Sequence, residues 1–443
     1  MARNRIIYQS QALYVGDLTT TSTATNNDEL HRVQDISFNV DIPRVDITEF
    51  GQLSSIGREI TEPPTVSLDF SYYLHNGLNE SNLGFKINGT KSNARQAAAE
   101  TTLESAIKDI IDTSQNKDEF NYYILTKPEG QDAHEDTNAN DDGLVAIGNG
   151  FITSLSIEGA VGDYPTASVS VEAANITFGD AVSGGTGTQV KNPAIVPSTG
   201  LKVNANAIAL PKSTSGLGTG ADSTEDLIGI TALRAGDVSV QFFSPDELTD
   251  VLQTAGEHSA DKKLKMGGAA LPSNETDGSG ELTSMHIQNF SVELPLSRTP
   301  LNRVGSFFPF SREIDFPITG SFSISANVAD FQAGDLYDIV CGDDKKYAVI
   351  TMKNKCSTNL GDGAVEYQIV IKGATLDSQN FSHGIGDQQS VDLTFSVPLG
   401  ANQSSGDGIF LLGSTSGDVS SVDTGAVADP VPTSTGTTAN QEW

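Results

Sequence analysis

HRVQDISFNVDIPRVDITEFGQLSSIGREITEPPTVSLDFSYY, residues 31–73, aligns without a gap to MHIQNFSVELPLSRTPLNRVGSFFPFSREIDFPITGSFSISAN, residues 285–327. At one constant offset Gln34 falls on Gln288, Ser37 on Ser291, Arg44 on Arg298 and Gly51 on Gly305. Further along, Arg58-Glu59-Ile60 falls on Arg312-Glu313-Ile314, Pro63 on Pro317, Thr65 on Thr319 and Ser67 on Ser321. Apolar positions keep the same register: Ile36 with Phe290, Phe38 with Val292, Val40 with Leu294 and Ile42 with Leu296. Scattered identities arise by chance. Identities that also preserve a two-residue alternation point to an internal duplication of a β-rich unit.

The alternation assigns the two faces of each strand, because successive side chains point to opposite sides. Ile36, Phe38, Val40 and Ile42 form one apolar face, and Val66, Leu68, Phe70 and Tyr72 form another. The opposite faces carry Asp35, Ser37, Asn39 and Asp41, then Thr65, Ser67, Asp69 and Ser71. The second copy repeats this with Asn289, Ser291 and Glu293, then Thr319, Ser321, Ser323 and Ser325. A solvated sheet face normally mixes both signs of charge and often protects its edges with lysine. These faces have neither Lys nor Arg, and their side chains are short, as a confined aqueous lining requires.

Outward from the repeat, each copy continues with comparable elements. A helix is expected over 93–113, where Leu103, Ile107, Ile110 and Ile111 recur at helical spacing, and a strand over Phe120–Thr126. The second copy has a shorter candidate helix, Ala333–Val340, and a strand at Tyr347–Met352. The closing strands align Leu155, Ile157, Gly159 and Ala160 with Ile369, Ile371, Gly373 and Ala374, then Val169 and Val171 with Val391 and Leu393. The fold class is therefore mainly β with one flanking helix per module. Two modules, 1–178 and 227–399, are separated by a Gly/Ser/Thr-rich linker or insertion, 179–226. A low-complexity tail, 400–443, includes one short strand signal at Ile409–Leu412.

Composition narrows the function. With 26 basic against 57 acidic residues the net charge is −31, which disfavours binding along nucleic acid by phosphate neutralisation. Such a surface still suits DNA that must slide past without sticking. No apolar run follows Arg3 and Arg5, so no secretory signal and no spanning helix is expected, and Cys341 and Cys356 are read as reduced. Catalytic constellations are missing too. The histidines are scattered, and Asp423-Thr424-Gly425 is a single copy in the tail. The acidic run Asp132–Gly143 breaks the calcium-loop template, with Asp141 where Gly belongs and Ile147 where Glu belongs. No enzyme, metal or cofactor is expected.

RVQDISFNVDIPRVDITEFGQLSSIGREITEPPTVSLDFSYYL resembles the opening hairpin of the tail tube proteins of tailed bacteriophages. FNYYILTKPEG and the closing strands fit the same module, so the resemblance covers both copies and leaves out the linker and tail. It implies tandem β-sandwich or split-barrel modules whose inner strands close into one ring-shaped barrel on oligomerisation. The polar-face residues named above would line the lumen. Arg44, Gly51, Arg58, Glu59, Arg298, Gly305, Arg312 and Glu313, in or beside the loops 43–57 and 297–311, would make subunit or ring contacts. Because many family members carry one module, a duplicated chain implies a homotrimer forming a pseudo-hexameric ring, or six chains if the copies occupy successive layers. The implied partners are further copies of the chain, a tail terminator, tail-tip or baseplate proteins, and a tape measure protein in the lumen before genome ejection. DNA would pass without specific binding, and no membrane is involved. The implied location is the virion tail, long and non-contractile, assembled in the bacterial cytoplasm. The alternatives are another structural protein of tail or capsid (terminator, hub or decoration) and, less favoured, a tail-associated glycan-cleaving enzyme. The only tryptophan, Trp443, leaves the enzyme no sugar platform.

Overall fold

Period-two stretches form strands throughout the computed structural model. It describes residues 10–18, 27–88, 104–112, 118–127, 133, 143–180, 190–196, 208, 210, 238–243, 264–266, 269–271, 285–305, 308–309, 311–328, 345–353, 365–382, 390–400 and 407–413. The first half contains β1 (Gln11–Asp17), β2 (Asn27–Leu30), β3 (Val33–Asp41), β4 (Arg44–Ile47), β5 (Gly57–Ile60) and β6 (Thr65–Tyr73). It continues with α1 (Leu78–Asn82), β7 (Ile87–Asn88), α2 (Lys108–Ile111), β8 (Phe120–Thr126), β9 (Gly143–Ala160), β10 (Thr166–Ala173) and β11 (Asn175–Asp180). The second half opens with β12 (Val238–Phe243), β13 (Leu264–Met266), β14 (Ala269–Leu271), β15 (Met285–Pro295), β16 (Arg298–Leu301) and β17 (Ser311–Ile314). It ends with β18 (Ile318–Val328), β19 (Lys346–Lys353), β20 (Val365–Ser382), β21 (Ser390–Leu399) and β22 (Gly408–Gly413).

Eight of these strands make one antiparallel inner sheet in the order β3-β6-β10-β9-β15-β18-β21-β20. It is open, not a closed barrel. The two 18-residue strands, β9 and β20, are long enough to serve two sheets. Their distal parts lie in the inner sheet. Their proximal parts pair with β8 and β11, and with β19 and β22, in the outer layer. Between the layers runs one apolar core joining Leu13 and Val15 to Leu68, Phe70 and Leu155, and on to Val292, Phe322, Ile350 and Phe395.

The sequence offset reappears in the pairing. Phe38 lies opposite Leu68 and Val292 opposite Phe322, with a bulge at Gln34 in one half and Gln288 in the other. Each long strand also carries one bulge in its pairing with the next strand, at Thr153 and at Asp377. A bulge bends its strand and raises the local twist, which lets one strand leave one sheet for another.

The pairing corrects the alignment of the closing strands. Phe70 faces Val169 while Ile324 faces Leu393, so Val169 corresponds to Leu393 and Val171 to Phe395. Leu155 then corresponds to Gln379 rather than to Ile369, which lies in the outer part of β20. The helix expected over 93–113 is reduced, among its described residues, to the single turn α2. Backbone around it is spent elsewhere: Ala106 N–H bonds Ile409 O at 2.9 Å, and Glu104 N–H bonds Asn88 Oδ1 at 2.8 Å. The candidate helix 333–340 and both cysteines lie outside the described residues. Strands Phe120–Thr126 and Tyr347–Met352 are present as β8 and within β19. Part of the expected linker packs on the first half, with Val190, Ala194 and Ile195 buried and Asn149 bonded to both backbone groups of Ile195. Within the expected tail, β22 is a buried strand of the outer layer. No helix among the described residues is long and apolar enough to cross a membrane.

Strand pairing ties the halves together in both layers. β15 pairs with β9 over seven residues, from Asn289 opposite Ala160 to Pro295 opposite Ser154. On the other layer β7 pairs in parallel with β22, and Asn88 Nδ2 donates to Leu411 O at 3.1 Å. The segment leading to β7 wedges in beside Tyr367. There Glu80 is fully buried, accepts a 3.1 Å bond from Tyr72 Oη, and has its carboxyl pushed up from 4.5 to about 7 by burial. A carboxyl whose folded pKa is raised binds its proton more tightly in the folded state. Its contribution is therefore full below pH 4.5 and is lost as pH rises through about 7. Glu80→Gln should accordingly stabilise the chain at pH 8 by about 1–3 kcal/mol and give no advantage at pH 4. Thermal melts at both values test this; a gain independent of pH would contradict the assignment.

Candidate assembly surface

Each inner strand presents alternate side chains to the core, so its remaining side chains form a second, continuous face. Across β3 and β6 the register sets Asp35 beside Ser71, Ser37 beside Asp69, Asn39 beside Ser67 and Asp41 beside Thr65. In the second half Asn289 sits beside Ser325, Ser291 beside Ser323 and Glu293 beside Ser321; Thr319 lies one row further, opposite Pro398. All fifteen residues expected to share a face do so. Between them run residues that the repeat alone did not flag: Ser154, Ser156 and Glu158 on β9, Ser168, Ser170 and Glu172 on β10, and Asp392, Thr394 and Ser396 on β21. None of the eight strands carries Lys or Arg in its inner-sheet portion. The strands' own side chains make this face mostly acidic and hydroxylic; the exception is Phe151, opposite Glu172, where Arg298 and Arg312 of the β16·β17 hairpin come to lie.

Its core side is unevenly covered. In β15 the apolar residues Phe290, Val292, Leu294 and Leu296 are at most 5% exposed, sealed by the first half. The aligned residues of β3 were expected to be buried as well. Instead Phe38, Val40 and Ile42 are 41%, 38% and 43% exposed, because β3 is the terminal strand and nothing among the described residues packs beyond it. At the opposite end, residues 375–382 of β20 pair on one side with β21 and, among the described residues, with nothing on the other. Phe381 there is 42% exposed.

The hairpins differ in the same way. In β4·β5, Arg44 lies opposite Ile60, Glu59 opposite Val45, and Arg58 Nε bonds Asp46 Oδ1 at 2.6 Å. Its apolar residues Val45, Ile47, Phe50, Leu53 and Ile56 are all exposed. Gly51 at φ 96° and Gly305 at φ 88° turn the two tips through the left-handed region that glycine tolerates. The β16·β17 hairpin folds back on the first half. Arg298 stacks 4.8 Å from the Phe151 ring centre and Arg312 stacks at 5.7 Å. Arg312 Nη1 meets Glu172 Oε1 at 2.5 Å, and Glu313 accepts a bond from Ser311 Oγ at 2.6 Å. Arg298 and Arg312, expected at a subunit contact, are thus engaged inside the chain. Burial lowers the Arg298 guanidinium from its ordinary value, while Asp118, Glu119 and Glu313 oppose that shift.

No protein-family model matches the chain, and no curated protein matches it. The surface must therefore be argued from its own geometry.

Two lysine substitutions separate the uncovered face from the core. Leu68, fully buried, cannot carry an ammonium group, and Leu68→Lys should cost more than about 4 kcal/mol. Phe38→Lys places its charge beside solvent and should leave the single chain folded, within about 1 kcal/mol of the original. Circular dichroism melts distinguish them. Equal loss from both substitutions would show that Phe38 is part of the intrachain core.

Proposed function

We propose that this chain is a non-enzymatic structural subunit that joins head to tail with copies of itself, and that the product is the tube of a phage tail. The observation that carries the reading is the pair of unmatched ends on one sheet. Among the described residues β3 has no strand on its outer edge and an exposed apolar face, and residues 375–382 have no strand on the edge away from β21. Exposed sheet edges are templates for pairing, and soluble proteins usually block them with lysine, proline or a covering segment. Neither stretch carries Lys or Pro. The design suits an edge meant to be filled.

The joint already present inside the chain supports a geometry. The two halves are read as tandem modules, on the shared bulges at Gln34 and Gln288 and at Thr153 and Asp377. Transferring the β9·β15 register to the free edges sets Ser37 opposite Ser382, Phe38 opposite Phe381, Asn39 opposite Asn380 and Val40 opposite Gln379. The two phenylalanines would then cover one another on the core side. Repetition of a head-to-tail contact gives a closed ring or an open helix. The resemblance favours closure of six modules from three chains, with the acidic and hydroxylic strand face inward and Arg312 there already neutralised by Glu172. DNA inside such a bore meets carboxylates and hydroxyls, so it passes without being held.

Cysteines at Asn39 and Asn380 test the contact. Oxidation of the assembled double variant should yield interchain disulfides in a ladder that ends at a closed trimer, with neither single variant crosslinking. Assemblies that form without crosslinking would contradict the register, and ladders growing past three would contradict the trimeric ring. A separate experiment addresses passage. Changing Asp35, Asp41 and Asp69 to Lys should leave tubes intact but slow DNA ejection, and added salt should relieve the delay because each lysine adds a phosphate contact. Unchanged ejection would place this face away from DNA.

A further inference from the structure

Inside the chain the β9·β15 joint is closed by a clasp. Phe151 and Glu172 are cross-strand partners, and the β16·β17 hairpin lays Arg298 and Arg312 on them. The Arg312 side chain is only 9% exposed there. A guanidinium that is shielded from water, stacked on a ring and bonded to a carboxylate is held far more firmly than an exposed ion pair.

The corresponding position in the second half is built differently. The pair matching Phe151 and Glu172 is Thr375 and Ser396. Their hydroxyls lie 3.0 Å apart, and Ser396 Oγ donates to the exposed Asp377 at 2.9 Å. A hairpin arriving from another copy would bring Arg44 and Arg58, the aligned counterparts of Arg298 and Arg312. Among the described residues, Thr375 and Ser396 offer it no aromatic platform and no glutamate at the matching positions, and Asp377, bonded to Ser396, is exposed.

We infer that the joints in a ring of these chains are of two chemical kinds, clasped within each chain and unclasped between chains. The inference rests on the proposed contact between β3 and residues 375–382 of a second copy. Between chains, cohesion comes from backbone pairing and burial of the exposed apolar residues of β3, so Arg58 contributes little and salt has little effect. The joints between chains open before the joint within a chain does.

The test is to install the missing clasp. The full-length chain carrying Thr375→Phe and Ser396→Glu is compared with the original, each with and without Arg58→Ala, by sedimentation and electron microscopy across salt. The clasped variant should assemble at roughly tenfold lower concentration, and added salt should reduce the gain without erasing it, because the new pair is shielded. Arg58→Ala should change the original less than about twofold but cancel the gain in the variant. Ser396→Glu alone, whose folding is checked by circular dichroism, gives the same reading if the double change misfolds. No gain, or an equal loss from Arg58→Ala in both backgrounds, overturns the inference while leaving the crosslinked contact standing. Failure of the original chain to assemble at all removes the contact and the inference together.

Discussion

A half-apolar sheet must have its apolar face covered and its edges paired or blocked, and most of this molecule follows from that constraint. The second half satisfies it by borrowing from the first: β15 takes its edge partner from β9, and its apolar residues are sealed beneath the neighbouring layer. Among the described residues the first half has no such donor, so β3 ends the sheet with Phe38, Val40 and Ile42 uncovered. The constraint is met at the centre of the sheet and left open at its ends.

That asymmetry organises the remaining contacts. The long strands β9 and β20 couple inner and outer layers, so that filling an inner edge also positions the outer strands of the same half. The outer layer bridges the halves again where β7 lies against β22 and Ala106 N–H bonds Ile409 O. With the β16·β17 hairpin on Phe151 and Glu172, contacts in both layers join the halves. Pre-organised ends reduce the ordering cost of association.

Much of the inner sheet was legible because alternation and pairing share a period of two. The registers of β3 with β6 and of β15 with β18 set Phe38 opposite Leu68 and Val292 opposite Phe322, at positions aligned by the offset, whereas the sequence alone shows only which residues share a face. The closing strands were misaligned for the same reason. A slip by an even number of residues keeps every apolar residue on its face, so Leu155 matched Ile369 as well by pattern as it matches Gln379 by pairing. The helical spacing of Ile107 and Ile110 was real but incomplete as evidence, since hydrogen bonds to Ile409 and Asn88 claim the backbone just before it. Exposure of Phe38 was not legible at all. Alternation says which face is apolar, and it cannot say whether the cover comes from the same chain. The engagement of Arg298 and Arg312 within the chain was equally hidden, because the aligned Arg44 and Arg58 have the same sequence context and a different neighbour.

The central claim is that copies join by placing β3 beside residues 375–382, with the polar face inward. A cryo-microscopy reconstruction of the assembled protein tests it most directly. The account predicts three-fold rings in which eight inner strands from each chain form one continuous wall, Phe38 of one copy packs on Phe381 of the next, and Ser37 and Ser67 face the bore. Strict six-fold symmetry with one chain per wedge, an unpaired β3, or Phe38 pointing towards the axis would contradict it.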